Sequence, residues 1–194
     1  MIDIMNIESL TFKPVTLAEW PDLQTLFSEP GVQNGCWCMY WRVRRADFHR
    51  YFGEPHRLAM QALIASGCIP GILAYLEGIP VGWCSVAPRE AFSTLERSPT
   101  LKRVDNQPVW SITCFYIARA QRLRGMTSDL IEAAITYATN QGARIIEAYP
   151  LIPEETVEPR YERYTGVIST YLKLGFTIAA QRSACRPVMR FLVE

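Results

Sequence analysis

The sequence predicts an α/β domain (α+β in some schemes) built on a mixed sheet of about seven strands with a parallel pair at its centre. Three observations carry that expectation. "GILAYLEGIPVGWCSVAP" (71–88) reads as two strands reversing at Glu77–Gly78, an antiparallel hairpin. "PVWSITCFYIA" (108–118), the helical run after it and "ARIIEAYP" (143–150) make a strand–helix–strand crossover, which joins its strands in parallel. "FTIAAQRS" and "RPVMRFLV" then read as two further strands.

The other elements follow in order. "SLTFKPV" (9–15) is a first strand. Thr16 and Glu19 form a capping box that opens a helix burying Leu17, Trp20, Leu23, Leu26 and Phe27, with Pro21 tolerated in its opening turns. A second helix is expected from Pro55 to Ser66, stopped by Gly67. The polar stretch from Arg89 to Gln107 is long enough to be either a substrate lid or a short helix of its own. Strand 108–118 is apolar on both faces, as a central strand should be. Leu130, Ile131, Ala134, Ile135 and Ala138 keep helical spacing and Gly142 ends that helix. A Pro- and Glu-rich loop (150–165) leads into "GVISTYLKLGF", a short helix ending at Gly175. With no repeat and no linker, residues 1–194 read as one domain.

Composition narrows the function classes. Hydrophobic residues at 49% and charged residues at 20% describe a chain that folds around a core. A net charge of +1 provides no broad field for nucleic acid or an anionic membrane, so recognition by charge must be local. "MIDIMNIESLTF" carries acids early and lacks the apolar run of a signal peptide, and no stretch is long enough to span a bilayer. The six cysteines form no disulfide framework; Cys68, Cys84 and Cys114 sit in apolar surroundings where a reduced thiol packs as a small hydrophobe. A cytoplasmic protein is expected.

Local charge concentrates in "QRLRGMTSDLIEAAITYATNQG" (121–142), directly after the central strand. The turn following a parallel strand is where an open α/β sheet binds ligand. A helix opening at Gly125 presents unpaired backbone N–H groups and a partial positive charge, and Arg119, Arg122 and Arg124 surround it with cations. Together these describe a diphosphate cradle. The alternative is a solvated turn beside some acidic partner, although cations at the positive end of a helix dipole sit poorly in that role.

"RLRGMT" (122–127) resembles the Arg/Gln-x-x-Gly-x-Gly/Ala turn of the GCN5-related N-acetyltransferase (GNAT) superfamily. "YLKLGF" (171–176) is similar to that family's second signature, a Tyr four residues before Gly-Phe. The two motifs stand about 50 residues apart, separated by a strand–helix–strand as in the family. The resemblance implies a largely antiparallel, twisted sheet with helices on both faces, and acetyl-CoA as donor. It implies that Leu123, Arg124, Gly125, Met126 and Thr127, with Arg122 and Ser128 beside them, hold the pyrophosphate. It further implies that the backbone of Phe115, Tyr116 and Ile117 pairs with the pantetheine arm like an added strand. Thr127 departs from the family's small residue, either crowding the cradle or donating its hydroxyl.

Acetyl transfer needs a neutral amine, a polarised carbonyl and a proton for the leaving thiolate. By resemblance Tyr171 donates that proton; read on its own, it is a core residue whose hydroxyl finds a partner. Strand 108–118 carries no carboxylate, so Glu147 is the inward candidate for a base, with Glu90 and Glu96 near the loop. Cys114 could carry an acyl group, but packing is the preferred reading. In "GCWCMYWRVRR" (35–45), Trp37, Tyr40 and Trp41 either wall the acceptor site or form a local core under a loop. Cys36 and Cys38 with His49 and His56 have tighter spacing than structural zinc sites use, so no metal is expected. The expected reaction is direct acetyl transfer to a primary amine of a small molecule or peptide. The alternative is a non-catalytic acyl-CoA-binding module, and a homodimer is compatible with either.

Overall fold

The structure is a computed structural model that describes residues 10–28, 35–153 and 163–193. Seven strands form one sheet. They are β1 (Leu10–Pro14), β2 (Ile72–Leu76), β3 (Ile79–Pro88), β4 (Trp110–Ile117), β5 (Ile145–Ala148), β6 (Thr177–Ala180) and β7 (Val188–Leu192), in the order β1-β2-β3-β4-β5-β7-β6. Only β4 and β5 run parallel; every other neighbouring pair is antiparallel. β2 and β3 turn at Glu77 (φ +50°) and Gly78 (φ +81°), two left-handed residues in a row, the conformation that matches the twist of the flanking strands.

Six helices cover the sheet among the described residues: α1 (Trp20–Phe27), α2 (Arg45–Arg50), α3 (Glu54–Ala65), α4 (Ser93–Arg97), α5 (Met126–Asn140) and α6 (Ile168–Lys173). Consecutive strand residues point to opposite faces, and β3 shows both faces occupied. Trp83 meets Phe27 of α1 edge-on at 5.8 Å. Its neighbour Gly82 faces α5, where an added Cβ would lie 3.2 Å from the Met126 sulfur and 3.3 Å from Leu130. The absent side chain at Gly82 lets the start of α5 settle onto the strand. Leu23, Leu26, Trp83, Ile112, Leu130, Ile146 and Met189 are all sealed in the main core.

Several expectations are corrected. The capping box forms, with Glu19 Oε2 accepting the Thr16 N–H at 3.1 Å and Thr16 Oγ1 accepting the Ala18 N–H at 3.1 Å. The regular helix starts only at Trp20, so Leu17 lies in the turn and is exposed. The polar stretch 89–107 holds a single 3-10 turn and α4, which makes it the short-helix alternative and not a lid. It is pinned as well, because Arg182 donates to the Lys102 carbonyl at 2.7 Å. Helix α2 was not expected. Residues 154–162 of the Pro- and Glu-rich loop, and the N-terminal stretch before Leu10, lie outside the described residues. Among the described residues no helix is long and apolar enough to cross a membrane.

Candidate active site

β4 parts from β5 halfway along its length. Trp110, Ser111 and Ile112 pair with Ile146, Glu147 and Ala148, and beyond Ile112 no described strand pairs with β4 on that side. The divergence begins at a bulge: opposite β3 the register slips between Ser85 (facing Cys114) and Val86 (facing Ile112), leaving Thr113 as the extra residue. An extra residue bends the strand and raises its local twist. The segment Phe115–Ile117 thereby has β3 on one side and no described strand on the other, next to the turn that leads into α5.

That turn alternates backbone handedness. Leu123 (φ +65°) and Gly125 (φ +87°) are both left-handed, on either side of Arg124. Alternation of this kind aims successive N–H groups into a shared concavity. Among the described residues the amides of Leu123, Arg124, Gly125, Met126 and Thr127 have no acceptor. Five bare donors at a helix start fit a pyrophosphate, and the open edge of β4 fits the amide-bearing arm attached to it. Ser128 differs from the expectation: its N–H is taken by the Gly125 carbonyl at 2.8 Å. Met126 contributes only its amide, since its side chain is buried on Gly82. Arg122 is folded back, its Nε donating to the Ile117 carbonyl at 3.0 Å and its guanidinium lying 5.7 Å from the Tyr116 ring centre. The Ile117 carbonyl is therefore already bonded, and Arg124 with Arg119 supplies the exposed charge.

Tyr171 of α6 borders the same open edge. Its ring and that of Phe115 both lie against Gly166, 3.0 Å and 3.6 Å from where a Cβ would stand. The phenol is sealed from water and donates to the Thr165 carbonyl at 3.2 Å. Burial pushes its pKa well above that of an ordinary tyrosine, so it keeps its proton.

The profile of the Acetyltransferase (GNAT) family matches residues 20–176. The chain belongs to that family. No curated protein sequence matches it. Among solved structures it is similar to PaiA N-acetyltransferase from Thermoplasma acidophilum in complex with coenzyme A, at 12% identity over 95% of this chain and 99% of that one, TM-score 0.53. An acetyltransferase of the GNAT family from Listeria monocytogenes matches at 12% identity over 95% of each chain, TM-score 0.58. Ard1 from Thermoplasma volcanium matches at 15% identity, covering 95% of this chain and 98% of that one, TM-score 0.51. At these identities the likeness is one of fold.

In this GNAT chain Glu147 is not a free carboxylate. Arg89 Nη1 donates to Glu147 Oε2 at 2.8 Å, the Tyr149 hydroxyl donates to the same oxygen at 2.9 Å, and Arg190 Nε donates to Oε1 at 2.9 Å. Arg89 also reaches Glu96, the Tyr149 hydroxyl and the Leu101 carbonyl, at 2.7 to 2.8 Å. Both Glu147 oxygens are committed to a sealed network that ties β5 to β7 and to the 89–107 stretch. This corrects the expectation of a base there. Glu90 and Glu96 are likewise paired, with Arg103.

The three aromatic candidates separate. Trp41 is buried among Phe92, Leu95, Leu101 and Tyr149, which is the local-core alternative and a correction to its place in an acceptor wall. Trp37 packs at a tilt against Trp20 and Phe27 of the main core, ring centres 5.7 and 5.5 Å apart. Tyr40 stays half-buried and meets Tyr164 at 6.2 Å. Tyr164 went unnoticed in the sequence because it lies in a loop with no periodicity. Burial first, then the neighbouring Cys114 and Tyr40, raise its pKa. Of the histidines, His56 directs Nδ1 to the Gly35 carbonyl at 3.0 Å.

Proposed function

We propose that the chain moves an acetyl group from acetyl-CoA to a primary amine of a small molecule or peptide, directly, with both substrates bound together. The observation that carries this reading is the half-released strand β4 ending in five unpaired amides. Phe115–Ile117 would hold the pantetheine arm, and the amides of Leu123–Thr127, with Arg124 beside them, the pyrophosphate. The donor supplies an activated thioester carbonyl to the incoming amine. An arm running back along β4 from the turn would bring its reactive end toward Thr113 and Cys114, at the β4 bulge.

Tyr171 is the proton donor in this reading. Its burial, its proximity to Phe115 and its single weakly held acceptor at Thr165 support that role, which requires its hydroxyl to turn from Thr165 to the leaving sulfur. Tyr40 and Tyr164 line the acceptor side. With Glu147 locked in ion pairs, no side chain is assigned as base, and the amine enters neutral or loses its proton to water. The six cysteines are all free, as a reducing compartment allows, and the reading places the reaction in the cytoplasm.

A panel of primary amines, scored for coenzyme A thiol released from acetyl-CoA, tests the proposal. Amine-dependent release is expected. The sealed state of Glu147 favours a second reading, a CoA-binding module without turnover; tight binding with no release across the panel would support it. Failure to bind coenzyme A at all would overturn both.

A further inference from the structure

Arg186 reaches the proton donor through a single intermediary. It stands half-buried in the connection between β6 and β7. Its Nη1 donates to two acceptors, the Tyr149 carbonyl at 2.8 Å and Thr165 Oγ1 at 2.6 Å. Tyr149 follows β5 directly, and Thr165 closes the 3-10 turn Arg163–Thr165 ahead of α6. One guanidinium thus fastens together the two flanks of the Pro- and Glu-rich loop.

Thr165 is sealed from water and engaged at both of its oxygens. The side-chain oxygen takes Arg186, and the backbone carbonyl takes the Tyr171 hydroxyl at 3.2 Å. A guanidinium only donates, so the Thr165 hydroxyl must accept from it, and that bond is charge-assisted and short. The bond to Tyr171 is neutral and long, so it is the one that gives way. Backbone bonds act on either side of Thr165. The Leu151 N–H donates to the Gly166 carbonyl at 2.9 Å, the Ile168 N–H to the Leu151 carbonyl at 3.0 Å, and the Ile152 N–H to the Cys185 carbonyl at 2.7 Å. The hold on the Thr165 side chain is Arg186's. Gly166, at φ +77°, brings the turn directly against the phenol ring, since a Cβ there would lie 3.0 Å from it. Any shift of Thr165 therefore moves the acceptor of the Tyr171 hydroxyl together with the backbone its ring rests on.

We propose that Arg186 is a positioning residue for Tyr171: through the Thr165 hydroxyl it fixes the turn that aims the phenol at the divergence of β4 and β5. This rests on the acetyl-transfer reading, in which Tyr171 gives its proton to the leaving sulfur. Delivery then asks only for rotation about the phenol C–O bond, provided the ring stands where the sulfur arrives. A misplacement of about 1 Å at such a step costs up to about a hundredfold in rate. Arg186 itself touches neither substrate.

Two variants and two readouts test the proposal. Arg186→Met removes the brace, whereas Thr165→Val removes only the hydroxyl it holds and keeps the carbonyl and the volume. In protein labelled with carbon-13 at tyrosine Cζ, the Tyr171 signal is the one missing from Tyr171→Phe. Its shift reports the hydrogen bond of the phenol with no substrate present, and both variants should move it. Turnover in acetyl transfer should fall about tenfold in each, with coenzyme A affinity held within about twofold. In a Tyr171→Phe background neither should lower turnover further, because the brace has no hydroxyl left to aim. A purely structural loss would instead multiply alike through both backgrounds. Equal losses with and without the tyrosine hydroxyl, or an unmoved Tyr171 signal in Thr165→Val, would overturn the positioning role and leave Tyr171 as donor. Full turnover in Tyr171→Phe alone would remove the proton-donor reading, and the role of Arg186 with it. Thr165→Val decides the matter if Arg186→Met fails to fold.

Discussion

Arg89 and Glu147 meet at 2.8 Å with both side chains sealed from water, 58 residues apart in sequence. Removing one member of such a pair leaves the other buried and short of a partner. Arg89→Met should therefore lower stability by about 3–5 kcal/mol, read from urea unfolding. A loss under about 1 kcal/mol would show that the network relaxes around the gap.

Tyr171→Phe removes a hydroxyl and keeps the ring that packs beside Phe176. If Tyr171 supplies the proton, turnover should fall about a hundredfold or more while the affinity for coenzyme A stays within about twofold. Steady-state kinetics beside calorimetric titration separates the two, and equal turnover would remove Tyr171 from the chemistry.

Gly125 stands at φ +87° with nothing within 4 Å of its missing Cβ, so its role is conformational and not a matter of space. Gly125→Val should weaken coenzyme A binding about tenfold, in line with the 1–2 kcal/mol a β-carbon costs in the left-handed region. Gly125→Asn, a residue that tolerates this conformation, should bind more tightly than the valine variant. Equal affinities for the two variants would mean the turn does not hold the cofactor.

Asp105 takes both Arg190 donors, at 2.6 and 3.0 Å, and that hydrogen bonding, aided by the Gln107 amide, lowers its pKa to about 2. A carboxyl depressed on folding contributes stability above its unfolded value of about 3.9 and loses it as the folded group protonates. The urea midpoint should thus fall between about pH 4 and pH 2, and more shallowly in Asp105→Asn. Parallel curves for the two proteins would contradict the pairing.

The elements set by neighbours in sequence were readable in advance. Glu77–Gly78 announced the hairpin turn, Thr16 and Glu19 the capping box, and the spacing of Leu130, Ile131, Ala134 and Ala138 the helix behind the amide turn. The failures have a common physical origin. Nothing near Arg89 in sequence signals that its partners are Glu147 and Tyr149, so one half of a sealed ion pair looked like a base. The sequence leaves Trp41 open between an acceptor wall and a local core because the residues that bury it, Phe92, Leu101 and Tyr149, are brought by distant segments. Leu17 fitted the helical period, but the capping turn ends two residues beyond it. The bulge at Thr113, on which the open edge depends, has no local signature in a run of β-formers.

The placement of β7 between β5 and β6 has a consequence for how the molecule is made. Residues 188–192 leave the ribosome after both of the strands they join, so β5 and β6 wait as separate pieces until β7 is inserted between them. Arg190 travels with that insertion, and Glu147 and Asp105 receive their shared guanidinium only then. Translation pauses before codon 190 should accordingly hold a nascent chain in which Glu147 has Arg89 but not yet Arg190, a state suited to capture by chaperones.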